Sequence, residues 1–144
     1  MFTIKLLSKN DLSLLLNVTE DVFDNPINET YTREFLNDHR HHIVVAISEN
    51  MIIGFASAVH YVHPDKPPEL WINEVGVSPS HQNQGVATAI MKELLHLGHH
   101  LGCKTAWVLT DRSNKPANLL YESSGGQLDP GETVMYEFNI TDGE

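Results

Sequence analysis

Cysteine is nearly absent from this chain. The single residue, Cys103, can form no internal disulfide, which fits a reducing, cytoplasmic setting. It falls at a predicted helix-to-strand junction and reads as a packing residue rather than a nucleophile. Basic residues are scarce as well: nine Lys and Arg face nineteen Asp and Glu, a formal net charge of −10. Such a chain has no basic face with which to neutralise nucleic-acid phosphates. The same surplus would attract and concentrate a cationic substrate, or simply keep a domain in solution. No apolar run is long enough to span a membrane. The opening Met1-Phe-Thr-Ile-Lys-Leu-Leu7 reads as a first strand, not as a signal peptide. Without secretion, the sequons Asn17-Val-Thr19, Asn28-Glu-Thr30 and Asn139-Ile-Thr141 are chance matches. Finally, no Lys or Arg lies between Glu69 and Met91. A phosphate bound in that stretch must be held by backbone.

What is present is enough apolar sequence to fill one core, so residues 1–144 are expected to form a single α/β domain. Thr3–Leu7 reads as a strand. Asn10 or Asp11 can cap a helix through about Phe23, with Leu12, Leu15, Leu16, Thr19 and Val22 at helical spacing. A second helix is predicted over Thr32–His39. Ile43–Ser48 and Met51–Val62 are β-rich runs joined by the hairpin signal Glu49-Asn50, and Pro64, Pro67 and Pro68 mark a loop. Extended structure resumes over Glu69–Val77. From Gly85 the apolar face Ala87, Ile90, Met91, Leu94, Leu97 and Leu101 predicts a helix stopped by Gly102. Lys104–Thr110 is predicted as a buried strand, Asn114–Ser123 as a helix with Pro116 in its first turn, and Thr133–Ile140 as a closing strand. The order is β-α-α-β-β-β-α-β-α-β, a mixed sheet flanked by helices.

The most informative stretch is Val77-Ser-Pro-Ser-His-Gln-Asn-Gln-Gly-Val-Ala-Thr88. A strand runs through a polar turn into a helix that begins with small residues, so unpaired N–H groups and the positive end of the helix dipole converge. Gln82-x-x-Gly85-x-Ala87 is similar to the acyl-CoA-binding motif Arg/Gln-x-x-Gly-x-Gly/Ala of the GNAT acetyltransferase superfamily. Asn114-x-x-Ala117-x-x-Leu120-Tyr121 resembles that family's second signature. The resemblance covers nearly the whole chain and implies the GNAT fold, with a splayed β-sheet, and acetyl-CoA as cofactor. It places the pantetheine arm along Val75, Gly76 and Val77, with Gly76 a plausible bulge site. The pyrophosphate would lie on the amides of Gln82, Asn83, Gln84, Gly85, Val86, Ala87 and Thr88, and Asn114, Ala117 and Tyr121 would complete the cofactor site. Asn114 can also be an N-cap, and the two roles are compatible. Two departures stand out. Gln82 replaces the frequent Arg, and Glu122-Ser-Ser-Gly-Gly126 replaces the usual Glu-Lys-x-Gly-Phe.

Acetyl transfer from a thioester to an amine requires the amine to lose a proton and the departing thiolate to gain one. The resemblance makes Glu74 the base, directly or through water, and Tyr121 the acid. Without it, Glu74 would be a solvent-facing strand carboxylate and Tyr121 a packed helix residue. Among branches, the chain looks most like the aminoglycoside 3-N-acetyltransferases. That likeness runs through the Asp24…Tyr31 and Pro64…Pro68 loops, Glu69, Val77-Ser78, Gln84-Gly-Val-Ala-Thr-Ala89, Thr110-Asp111, Leu120-Tyr121 and Met135…Phe138-Asn-Ile140. It implies that Glu74 and Asp111 hold ammonium groups of the acceptor, with Asp24 and Glu69 as further contacts. It also implies a homodimer as one possible assembly. Alternatives within the class are a polyamine, a small amine metabolite or a protein lysine; outside it stands a non-catalytic acyl-CoA sensor.

The nine histidines invite a metal reading. His96, His99 and His100 have helical spacing, but no nearby acid or cysteine completes a shell, so no metal is expected. His39, His41 and His42 sit at a helix end, where cations are favourable.

Overall fold

The computed structural model describes residues 1–141. The elements are β1 (Thr3–Leu6), α1 (Leu12–Leu15), α2 (Glu29–Asn37), β2 (His41–Ser48), β3 (Met51–Tyr61), β4 (Glu69–Val77), α3 (Val86–His100), β5 (Thr105–Val108) and α4 (Lys115–Ser123). The strands form one sheet in the order β1-β2-β3-β4-β5. All pairs are antiparallel except β4–β5, which is parallel and reached through the α3 crossover. Among the described residues no helix is long and apolar enough to cross a membrane.

The sheet buries both faces. Val44, Ala46, Ala56, Ala58, Leu70 and Ile72 turn toward Val86, Ile90, Met91 and Leu94 of α3. Ile43, Val45, Ile52 and Phe55 turn the other way, toward Leu15, Val22 and the partly buried Phe23 and Phe35. Alternation fixes which side chains share a face, interrupted on β3 at Ile53, where the register against β2 shifts and lets Ile52 and Phe55 share one side. The β2–β3 hairpin closes through Glu49 (φ 51°) and Asn50 (φ 64°). Two successive left-handed residues give the turn whose twist matches the flanking strands.

Four expectations are corrected. The first helix does not reach Phe23 but ends after one turn. Past it, Val18 bridges to Ile52, with Thr19 N donating to Ile52 O (2.9 Å) and Asn17 Nδ2 to Asn50 O (2.8 Å); sheet pairing overrides helical spacing there. The second helix starts three residues early, because Asn28 Oδ1 accepts from Tyr31 N (2.9 Å) and caps it. β5 is shorter than Lys104–Thr110 and largely exposed, not buried, since it is the outer edge of the sheet. The closing strand over Thr133–Ile140 does not form. The segment pairs with no strand, and Val134, Met135, Tyr136, Phe138 and Ile140 stand exposed.

Candidate active site

β4 is the strand on which the site is built. Its partner β5 accompanies it only over Glu69–Ile72, opposite Thr105–Val108. Beyond Ile72, the β4 backbone groups that point away from β3 have no strand partner among the described residues, so Asn73–Gly76 offers backbone N–H and C=O groups along the opening, while Val77 O accepts from Gln82 Nε2 (3.2 Å). On the β3 side the register slips between Ser57, opposite Glu74, and Ala58, opposite Ile72. Asn73 is therefore the extra residue of a bulge. Gly76 is not the bulge; its lack of a side chain serves a close approach. A Cβ there would lie 2.6 Å from Val22 O and 2.9 Å from Phe55 Cε1.

The bulge aims Asn73 and Glu74 to the same face, into a cavity of about 470 Å³. Phe23, Tyr31, Phe35 and Phe55 wall it, and Asp24 faces it from the loop before α2. Phe23 and Phe55 stack at 3.9 Å. Glu74 and Asp24 thus meet at one cavity, and neither carboxylate makes a hydrogen bond or ion pair among the described residues. Two charges at an aromatic-walled opening suit an ammonium group. Glu69 and Asp111 lie outside this lining. Glu69 opens β4, with Oε1 accepting from Tyr61 Oη (3.1 Å) and Oε2 3.3 Å from His63 Nε2. Asp111 is exposed three residues past β5, where its backbone carbonyl accepts from Asn114 N (3.0 Å) and Asn118 Nδ2 (3.0 Å).

The turn after β4 is rigid. Ser78 is buried, its N–H donating to Ile53 O (2.8 Å) and its hydroxyl bonded to Ser80 Oγ (2.9 Å) and His81 Nδ1 (3.1 Å). Gln82 Nε2 donates to Val77 O (3.2 Å) and Gln84 Nε2 to Ser80 O (3.3 Å). Gln82 thus braces the turn in addition to facing solvent. Asn83 (φ 61°) and Gly85 (φ 79°) are left-handed, and Gly85 sits at the N-cap of α3 without any side-chain cap. The amides of Val86, Ala87 and Thr88 are consequently unclaimed by a capping side chain. No acidic residue occupies the first turn, and nothing lies within 4 Å of a Cβ built on Gly85. A fifteen-residue helix with an open, uncapped N-terminus and no competing carboxylate fits a pyrophosphate. This is the fit expected of an acyl-CoA.

α4 packs at the margin of the α3-side core through Leu120 and Tyr121. Asn114 caps it, Oδ1 accepting from Ala117 N (3.2 Å), and Asn118 Nδ2 ties the preceding loop together through the carbonyls of Asp111 and Asn114. Tyr121 is half-buried against the α3-side core, at whose margin Val75, Val77 and Val108 also pack. Burial raises its phenol pKa, which keeps the hydroxyl protonated and able to donate. Sequence reasoning missed Asn73 and the aromatic walls of the cavity. The one available signal was an asparagine, a poor strand former, in the middle of a strand.

The acetyltransferase (GNAT) family pattern matches residues 12–126. Two curated relatives match part of the chain. An L-2,4-diaminobutyric acid acetyltransferase of Oceanobacillus iheyensis is 36% identical over 80 residues, 55% of this chain and 42% of that protein. A mycothiol acetyltransferase of Thermomonospora curvata is 35% identical over 85 residues, 58% of this chain and 27% of that protein. The matches therefore span less than half the length of either relative. Among solved structures, the aminoglycoside acetyltransferase meta-AAC0020 from an uncultured soil metagenomic sample, in complex with sisomicin, superposes with TM-score 0.83 at 18% identity, covering 96% of each chain. AAC(6')-Iy bound to the bisubstrate analogue CoA-S-monomethyl-acetylneamine superposes with TM-score 0.77 at 19% identity, over 96% of this chain and 99% of that one. Site geometry, family pattern and fold agree: this chain belongs to the acetyltransferase (GNAT) family.

Proposed function

We propose that the protein is an acetyl-CoA-dependent N-acetyltransferase acting on a cationic aminoglycoside, at the 3-N amine of its aminocyclitol ring, by direct attack in a ternary complex. The observation that carries this reading is the meeting of two carboxylates, Glu74 and Asp24, unpaired among the described residues, at one cavity beside the half of β4 that β5 does not accompany. The amides of Gln82–Thr88 hold the cofactor's pyrophosphate, Val75–Val77 pair with its pantetheine arm, and Asn114 and Ala117 flank it. Bound acetyl-CoA supplies the acetyl group as an activated thioester. Glu74 would take the proton that the amine gives up on attack at the thioester, and Tyr121 Oη would supply a proton to the departing thiolate. Backbone N–H groups of Val75–Val77 are available to the carbonyl oxygen. Asp111, three residues past the C-terminal end of β5, and Glu69 add negative charge along the acceptor's approach. The setting is a reducing cytoplasm, where Cys103 remains a thiol. The exposed, alternating Val134, Tyr136, Phe138 and Ile140 support a homodimer.

The test is thiol release from acetyl-CoA over gentamicin, spermidine, small diamines and a lysine peptide. Turnover with gentamicin at the 3-amine is expected. Turnover only with the other amines would overturn the aminoglycoside assignment, and none with any amine would favour an acyl-CoA sensor. A small diamino acid is the second reading. It is supported by the few carboxylates at the cavity and by the name of the Oceanobacillus relative.

A further inference from the structure

The face of the sheet that carries Glu74 does not end at the cavity. Leu70, Ile72 and Val108 turn into the α3-side core. By alternation, Trp71 of β4 and Trp107 of β5 turn to the opposite face, the acceptor face. The two are directly paired in register, and their rings stack with centroids 5.7 Å apart and planes 21° from parallel. They are the chain's two tryptophans. The described residues leave the pair uncovered: Trp107 is 36% exposed and Trp71 is half-buried.

The shelf is tethered from the side, by residues on the same face of the sheet. Trp107 Nε1 donates to Tyr61 Oη (2.7 Å), Tyr61 Oη donates to Glu69 Oε1 (3.1 Å), and Glu69 Oε2 lies 3.3 Å from His63 Nε2. The polar edge of the Trp107 indole is thereby satisfied within the protein. One face of the ring lies against Trp71, and the apolar surface that the stacked pair leaves uncovered is open to a ligand. Asn73, two residues along β4 on the same face, lies about 7 Å from Trp71 by strand geometry. That is close to the span of one sugar ring.

We propose that the Trp71–Trp107 shelf is a second subsite of the acceptor cleft, on which a further ring of a cationic aminocyclitol glycoside stacks while the aminocyclitol itself presents its amine to Glu74. The proposal rests on the acetyl-transfer reading above. A sugar ring offers one apolar C–H face to an indole, and its ammonium groups are drawn to the aromatic face by cation–π attraction. A linear polyamine or a lysine side chain has no ring face to stack. A single-ring amine bound at Glu74 does not reach the shelf. The acidic balance of the chain favours the same polycationic occupant.

Because both tryptophans belong to the shelf, intrinsic fluorescence reports its occupancy without any turnover. Gentamicin is expected to give a saturable change in emission, and 2-deoxystreptamine, the bare aminocyclitol, little or none. In steady-state assays Trp107→Ala should lower the ratio of kcat/KM for gentamicin over 2-deoxystreptamine about tenfold, and Trp107→Phe should restore most of it. A saturable gentamicin signal without acetylation of any amine would uphold the shelf while sinking the transfer reading. An emission unmoved by gentamicin, or a ratio unmoved in Trp107→Ala, would overturn the shelf even if acetylation is robust.

Discussion

Replacing Gly76 by alanine tests how tightly the cofactor strand is set against the acceptor side. The added methyl would stand 2.6 Å from the backbone oxygen of Val22 and 2.9 Å from Cε1 of Phe55. Neither neighbour can yield easily. The Val22 carbonyl belongs to the loop that carries Phe23 and Asp24, and the Phe55 ring is stacked on Phe23 at 3.9 Å. Overpacking of this kind costs about 1–3 kcal/mol. For a domain of this size each kcal/mol lowers the melting temperature by roughly 3–4 °C, so a fall of about 3–12 °C is expected. The displacement also moves the cavity wall, so acetyl transfer should drop by more than the stability loss explains at an assay temperature well below melting. Differential scanning fluorimetry and steady-state rates read the two effects. Gly131→Ala is the control, since its methyl meets only the flexible Asp129 carboxylate, at 3.3 Å on an exposed loop. A Gly76→Ala protein with unchanged melting temperature and unchanged rates would refute the close-approach explanation.

Three other expectations follow from the geometry. Asn114→Ala removes the α4 cap and should cost about 1 kcal/mol, seen as a lower melting temperature together with a raised KM for acetyl-CoA. Gly85→Ala forces a side chain into a left-handed residue at a cost of about 1 kcal/mol. As nothing crowds that Cβ position, the strain should appear as a melting temperature lower by roughly 3–4 °C, and the methyl beside the open helix N-terminus should also weaken acetyl-CoA binding by calorimetry. His42, held to a pKa of about 4 by burial and by the neighbouring His60, is neutral in the folded chain at pH values where the unfolded chain binds a proton. Stability is therefore full above the ordinary histidine pKa and is lost as pH falls from there toward about 4. Melting temperatures should decline between pH 7 and pH 5, and His42→Gln should flatten that decline.

Legibility in the sequence followed the range of the interactions. The open helix start after β4 was readable because its causes are local: Gly85 at a left-handed N-cap, small Ala87, and no acidic residue in the first turn. Asn114 as a cap and the α3 apolar stripe are local in the same sense. The length of α1 was not readable, because Val18 and Thr19 leave the helix to pair with Ile52, a partner more than thirty residues away in sequence. The apolar run of β5 points to a buried strand, yet burial needs an element packed over each face, and among the described residues β4 is the one element β5 packs substantially against. A glycine within a strand points to Gly76 as the bulge on general grounds. Only the register of β3 against β4 locates it at Asn73, and that register sends Glu74 into the cavity. Trp71 and Trp107 meet through a parallel crossover that no local pattern announces.

The central claim is that Glu74 removes the proton from an amine presented at the open half of β4. The most direct measurement compares wild type and Glu74→Gln for acetyl-CoA-dependent thiol release with gentamicin at pH 7, alongside acetyl-CoA binding by calorimetry. Loss of a general base predicts a rate about 10²-fold lower or more, with cofactor affinity unchanged and the rate partly recovered at higher pH, where more of the amine is already neutral. A Glu74→Gln enzyme with full rate at pH 7 would contradict the account and pass the role to another acid, Asp111 first.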